Sequence, residues 1–268
     1  MTKIPYPIWI NINDCRNLHK ESSDIELKNK EIPKEIIPHI GRVIGYTAQI
    51  ETFKTIAIAK EIASLRKEYL RKHLHKLLKI LSNSTKHLSM IASIGLAMKK
   101  YTCINQDLDY IFSQIVEMKE TKHILALAGI IVMPSYIAIT EYISNKAKTK
   151  IIKELYSEIA NDEKSDLETI IEIVKDLDIG EEKLAEIIEE RALLLFATAA
   201  ADEEMKKSIA TVVEEKHMQN PEEASIALKE MYVAIDEYRT RMISKIYGES
   251  SKIIDLVKRY GLSGLAIC

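Results

Sequence analysis

The sequence predicts an all-α protein: a multi-helix bundle of eight or nine mostly antiparallel helices, preceded by an irregular N-terminal arm. Three observations carry this expectation. Turn formers are scarce, with 8 Gly and 6 Pro in 268 residues, whereas an all-β chain needs many turns. From Pro33 onward, apolar residues recur at steps of three and four, the period of a helix buried on one face. The gaps between periodic segments are short, which makes successive helices antiparallel neighbours. Apolar residues make up 47% of the chain and charged residues 29%, enough for a sizeable core and a solvated surface. With only 3 Phe and 1 Trp, that core must rest on Ile, Leu, Ala and Met.

The elements are read in chain order. Residues 1–32 form the irregular arm, with "YPIWIN" as a short extended piece and "SSDIELKNKEIP" as a loop. A long helix is expected from Ala48 to Leu81. In its second part Leu70, Leu74, Leu77, Leu78 and Leu81 form an apolar stripe, opposite Arg71, Lys72, His75, Lys76 and Lys79. "SNS" at 82–84 is expected to end that helix. Further helices follow at Thr85–Lys100 and Asp107–Val132, and Pro134 opens another that runs to Asn161. Ser165 and Glu168 have capping-box spacing and are expected to start the next. Glu181–Ala200 and Glu203–Met218 form a hairpin turning at Asp202. Pro221, followed by Glu222 and Glu223, opens a last long helix. Its Leu228, Met231, Ile235, Tyr238 and Met242 give a seam like that of a coiled coil.

Charge divides the chain. The first 51 residues balance at 7 and 7. Residues 52–150 hold 16 Lys/Arg against 7 Asp/Glu, a net +9, and residues 151–268 hold 15 against 26, a net −11. A basic helical half at 33–161 and an acidic half at 162–268 are therefore expected, as one compact domain or two closely packed halves. The asymmetry either steers a partner or pairs the halves with each other.

Several function classes are excluded. Cys15, Cys103 and Cys268 are far apart and form no Cys-x-x-Cys pair, which argues against a disulfide scaffold or a zinc ribbon. Cys15 with His19 lies in the irregular arm and carries no catalytic expectation. No dinucleotide fingerprint, Walker loop or nucleophile elbow occurs. The N-terminus lacks the uncharged run of a signal peptide. Ile124–Thr140, seventeen uncharged residues, is short for a bilayer span and contains Pro134; a buried helix pair broken at Pro134 is expected instead. A cytoplasmic, soluble protein follows. Lys, Glu and Ile are abundant and only four Gln occur, a composition shared by heat-adapted proteins and by AT-rich genomes.

Two patterns carry chemistry. The first is a pair of Glu-x-x-His spacings, Glu120/His123 and Glu214/His217. Three residues turn a helix by about 300°, so both side chains lean the same way, and carboxylate with imidazole suits iron, manganese or zinc. Glu190 and Glu214 are equidistant from the turn at Asp202. The 29 residues "EERALLLFATAAADEEMKKSIATVVEEKH" resemble half of a rubrerythrin or ferritin-like protein. That resemblance implies a di-iron or di-manganese centre with Glu120, His123, Glu190, Glu214 and His217 as ligands. The other half departs from the pattern, because counting back from Glu120 through the turn near Cys103 reaches His87, not a glutamate. A chain with 29 Glu and 7 His also produces such spacings by chance. The second pattern is the basic face of Arg71, Lys72, His75, Lys76 and Lys79, which suits a nucleic-acid backbone, another protein, or the acidic half.

The favoured expectation is a non-enzymatic helical binding or assembly protein. It would act through the basic helix and the long C-terminal helix on a protein partner or a second copy of itself. No cofactor is favoured there, nucleic acid is a secondary partner class, and a membrane is not expected. The alternative is a ferritin-like di-metal carboxylate protein, an oxidase or a metal store.

Overall fold

The structure, a computed structural model, describes residues 32–64, 67–97, 105–191, 203–218 and 220–261. Of these, 86% are helical and none is in a strand, so the all-α expectation holds, with ten helices among the described residues against the expected eight or nine. They are α1 (Ile37–Ser64), α2 (Lys67–Ala97), α3 (Gln106–Val116), α4 (Thr121–Lys146), α5 (Lys150–Asp176), α6 (Glu181–Glu190), α7 (Glu203–Glu214), α8 (Pro221–Ala227), α9 (Lys229–Tyr247) and α10 (Lys252–Tyr260). The expected arm, apart from Ile32, the turn at Asp202, Cys15, His19 and Cys268 lie outside the described residues.

Four long helices form the centre. Side-chain pairs fix their directions. Glu51 meets His87, so α1 and α2 form an antiparallel hairpin. Glu141 meets Lys164 across the short link after Lys146, so α4 and α5 form another. Lys72–Asp176, Lys76–Glu172 and Lys86–Asp162 make an antiparallel ladder between α2 and α5. Thr47–Tyr156 and Lys54–Glu163 join α1 to α5 with a constant offset, so these two run parallel.

The pairs are linked by a crossover. Gln49 of α1 hydrogen-bonds the Asn105 backbone at the start of α3 (2.9 and 3.0 Å), and Lys60 reaches the Val116 carbonyl at its end (2.5 Å). Helix α3 thus climbs alongside α1, with Phe112 stacked on Phe53 at 4.3 Å, and delivers the chain to the start of α4. With α1 parallel to α5 and each hairpin antiparallel, α2 and α4 also run parallel. The remaining helices pack around these: α7 on α1 through Arg42–Glu204, α9 on α4 and α5 through Tyr238–Glu141 and Lys245–Glu168, and α10 on α6 through Lys252–Glu182.

Several sequence boundaries are corrected. Residues 82–84 do not end a helix. Ser84 is buried and Asn83 donates to Asp166 at 2.8 Å, so polar residues stay helical because α5 satisfies them. Ser165 starts nothing. It lies inside α5, which runs unbroken through 161–165, so the change of charge sign falls in mid-helix. The expected helix from Asp107 to Val132 is instead interrupted after Val116, and Pro134 does not break the chain. Helix α4 continues through it by widening to a π turn at Ala128–Val132, where the Met133 N–H bonds the Ala128 carbonyl. That turn absorbs the donor that proline lacks.

Helix α4 is also the one helix among the described residues long and apolar enough to cross a membrane. Of its most apolar stretch, 94% is buried inside the protein, so its apolar surface is covered by the other helices. Within α2 the buried seam runs through His73, Leu77 and Ile80, while Leu78 is 49% exposed. Of the leucine stripe read from the sequence, Leu77 is buried and Leu81 packs against the core, while Leu78 turns outward and His73 takes a place on the buried seam beside Asp176.

Candidate metal centre

The seams of the central helices contain polar residues at positions where the helical period demands apolar ones. In α2 the buried seam is His73, Leu77, Ile80, Ser84, His87, Ile91, Ile94, with strict alternation of steps of four and three. In α5 it is Ile152, Tyr156, Ile159, Glu163, Asp166, Ile170, Ile173, with the same alternation. In α1, Thr47, Glu51, Lys54, Ile58 and Glu61 continue the seam of Ile40 and Val43. Glu51 and Lys54 of α1, His87 of α2 and Glu163 and Asp166 of α5 thereby reach the bundle axis at about the same height.

There they meet. Glu51, His87 and Glu163 each present a ligand atom, all within 4.8 Å of one another, and all three side chains are buried. The His87 Nδ1–H donates to Glu51 Oε1 at 2.7 Å and lies 3.4 Å from Glu163 Oε1. Its Nε2–H donates to Asp162 Oδ2 at 3.1 Å, and Asp162 is in turn held by Lys86. The Tyr136 hydroxyl, from α4, donates to Glu51 Oε1 at 2.9 Å. On the other side the Lys54 ammonium bonds Glu163 Oε1, faces Glu51 Oε2 at 3.1 Å and Asp166 Oδ2 at 3.5 Å.

Burial makes these charges interdependent. It works against the Lys54 charge, but Glu163, Glu51 and Asp166 outweigh it and raise the pKa above the ordinary lysine value. Burial likewise opposes the His87 charge, yet the hydrogen bonds to Glu163 and Glu51 lift its pKa to about 9. Burial acts to raise the Glu51 carboxyl, but Lys54 and His87 together hold it below the usual range. Glu163 goes the other way, pushed up by burial and by the Glu51 charge. Burial pushes Asp166 up to about 7 in spite of Lys54. Three carboxylates thus face two cations. Glu51 Oε2, Glu163 Oε2 and Asp166 Oδ2 accept no hydrogen bond, although buried acceptors are normally satisfied.

No family model, curated protein or solved structure matches this chain. Metal-binding four-helix bundles take a Glu from each of two helices and a Glu-x-x-His from each of the others. Here α1 gives Glu51, α4 gives Tyr136, α2 gives Ser84-x-x-His87 and α5 gives Glu163-x-x-Asp166, with Lys54 among them. The donors are oxygen and imidazole nitrogen without thiolate, a set that suits Fe(II), Mn(II) or Zn(II). The Asp162 carboxylate on the far nitrogen of His87 is the partner that orients a metal-bound imidazole and fixes its tautomer.

The five ligands expected from the sequence do not come together. Glu120 is exposed just before α4, with Oε2 3.8 Å from His123 Nε2. Thr121 beside it bonds Ser64, at the C-terminal end of α1. His217 lies beyond α7, its Nδ1 3.2 Å from Nε2 of His39 near the N-terminal end of α1. The rise of a helix puts those two ends of α1 about 37 Å apart, far beyond the span of one centre. Glu190 ends α6 and Glu214 ends α7, both exposed. The Glu-x-x-His spacing located helix termini, where Glu120, Glu214 and His217 are exposed and His123 is buried.

The expected basic face divides. Lys72 is paired with Asp176 and Lys76 with Glu172, both at 2.6 Å, while Arg71, His75 and Lys79 are exposed. What the Glu-x-x-His spacing missed is the set Glu51, Lys54, Glu163 and Asp166. The signal was present: charged side chains sitting in register on an otherwise apolar seam.

Proposed function

We propose that this protein binds one divalent transition-metal ion through Glu51, His87 and Glu163 at the centre of its bundle, as a metal-binding or metal-dependent protein of the carboxylate-bundle kind. The observation that carries this is the convergence of three buried donors within 4.8 Å of one another. Charge supports it. Glu51, Glu163 and Asp166 exceed Lys54 and a protonated His87 by one negative charge, so a neutral apo centre needs a further proton. A divalent ion that replaces the His87 proton and that further proton leaves the net charge unchanged. Three protein ligands leave coordination positions open for water or a substrate oxygen. On the basic face, α5 already pairs Lys72 with Asp176 and Lys76 with Glu172.

The test is metal analysis of the full chain. Protein stripped with chelator, reloaded with Mn(II) or Fe(II) and desalted is expected to retain one ion per chain. H87A and E163Q are expected to retain none while keeping their helical circular dichroism. Folded wild-type protein that retains no stoichiometric metal would show the cluster to be a buried salt-bridge network only.

A further inference from the structure

The Lys54 side chain is 1% exposed and ends at the bundle axis, among carboxylates from two helices. Two of its neighbours are shared with the proposed metal ligands. Glu51 turns Oε1 toward His87 and Oε2 toward Lys54. Glu163 Oε1 lies 3.4 Å from His87 Nδ1 and also bonds the ammonium. Asp166, one helical turn on from Glu163, faces Lys54 alone of the pair, at 3.5 Å. Glu51 and Glu163 thus bridge two adjacent positions. One is bounded by His87, and the other is filled by a positive nitrogen that Asp166 completes. Two carboxylates shared between adjacent positions, with a further donor at each end, form an arrangement that can hold a pair of metal ions about 3.5–4 Å apart. Ser84, one turn before His87, is buried with its hydroxyl unpartnered, so the His87 end has no second carboxylate from α2 to offer.

We propose that the Lys54 ammonium is the resident cation of a second metal position, so that the centre takes one ion where the same carboxylates without Lys54 would take two. This rests on the metal site proposed above and deepens it. Lys54 is a specificity-determining residue for nuclearity. It supplies one fixed positive charge that cannot be exchanged, chelated or oxidised, and it confines metal exchange to the His87 side. A neutral side chain of similar volume would leave Glu51, Glu163 and Asp166 converging on a position with no positive charge, and such a position attracts a divalent cation.

The experiment compares wild type with Lys54→Met, both as full chains stripped and reloaded with Mn(II). Wild type is expected to hold one ion and K54M two, a doubling of bound manganese. The K54M sample should show the exchange-coupled electron paramagnetic resonance signal of a manganese pair, absent from wild type. One ion in both proteins overturns this inference while leaving the metal site standing. No ion in wild type overturns the metal site and this inference with it. Anomalous diffraction from Mn(II)-soaked wild-type crystals decides the case even if K54M fails to fold. A single peak beside His87, with the Lys54 nitrogen still on Glu163 and Asp166, is the expected result. Two peaks, or one peak in place of a displaced Lys54, would refute it.

Discussion

Raising the pH of the metal-free protein removes the His87 proton from a cavity built to hold it. The imidazolium faces Glu51 from α1 and Glu163 and Asp162 from α5, with Lys54 behind the first two and Lys86 beside the third. Its pKa rises from 6.5 to about 9 on folding. The folded value lies above the unfolded one, so the stabilisation is complete below about pH 6.5 and is lost as pH climbs through 9. At 1.36 kcal/mol per pH unit the full effect is about 3 kcal/mol, an upper figure because Lys54 neutralises part of the same charge. About 2 kcal/mol of it should disappear between roughly pH 7.5 and 9.5, a window chosen above the Asp166 titration near 7. Urea unfolding across that window reads it out. For a urea dependence near 3 kcal/mol per molar, the midpoint should fall by roughly 0.7 M. His87→Gln keeps an amide donor toward Glu51 but cannot titrate, and its midpoint should stay flat. A wild-type curve that is level or rising, or that parallels H87Q, would show that His87 is neutral in the folded protein.

Tyr136→Phe removes the hydroxyl that donates to Glu51 Oε1 at 2.9 Å; loss of a hydrogen bond to a charged, buried acceptor should lower stability by about 1.5–3 kcal/mol in chemical unfolding. Gly129→Ala places a methyl 2.7 Å from Ile170 Cγ2 where the π turn of α4 lies against α5. Overpacking should outweigh the better helix propensity of alanine, for a net loss of about 1–2 kcal/mol by thermal unfolding. A G129A protein more stable than wild type would mean that α4 and α5 separate easily at that contact.

The fold was legible because helical period and scarcity of turn formers are properties of long segments, and α1, α2 and α5 each carry a seam of seven residues. Boundaries were less legible where neighbours override local chemistry. Ser82, Asn83 and Ser84 look like a loop until Asp166 supplies a partner, and Pro134 looks like a break until a π turn accommodates it. The centre was half legible. Carboxylate and imidazole do meet between facing helices, at Glu51, His87 and Glu163 and not at the residues of the Glu-x-x-His spacings, and of these His87 came into view as a substitute for a missing glutamate. The Glu-x-x-His spacings nevertheless fall at helix ends, and the interruption after Val116 divides the apolar face on which His123 would have lain. Glu163 and Asp166 also stand at i, i+3, on the seam of Ile159 and Ile170. Their partners Glu51 and Lys54 lie more than a hundred residues earlier, and no local pattern announces that the offset of α1 and α5 will bring them level.

That offset has a consequence for assembly. The α1–α2 hairpin carries Glu51, Lys54 and His87, one negative and two positive groups when the imidazole is protonated, and the α4–α5 hairpin carries Glu163 and Asp166. The two hairpins are therefore keyed to each other by opposite charge at a single height. Apolar seams with a repeat of seven can slide by one heptad, about 10 Å, and still pack isoleucine on isoleucine. Here such a slip would carry Lys54 and His87 away from Glu163 and Asp166 and leave those two carboxylates in the core without counter-ions, at several kcal/mol per charge. The same buried residues that form the proposed centre thus give a largely isoleucine-lined bundle one register instead of several.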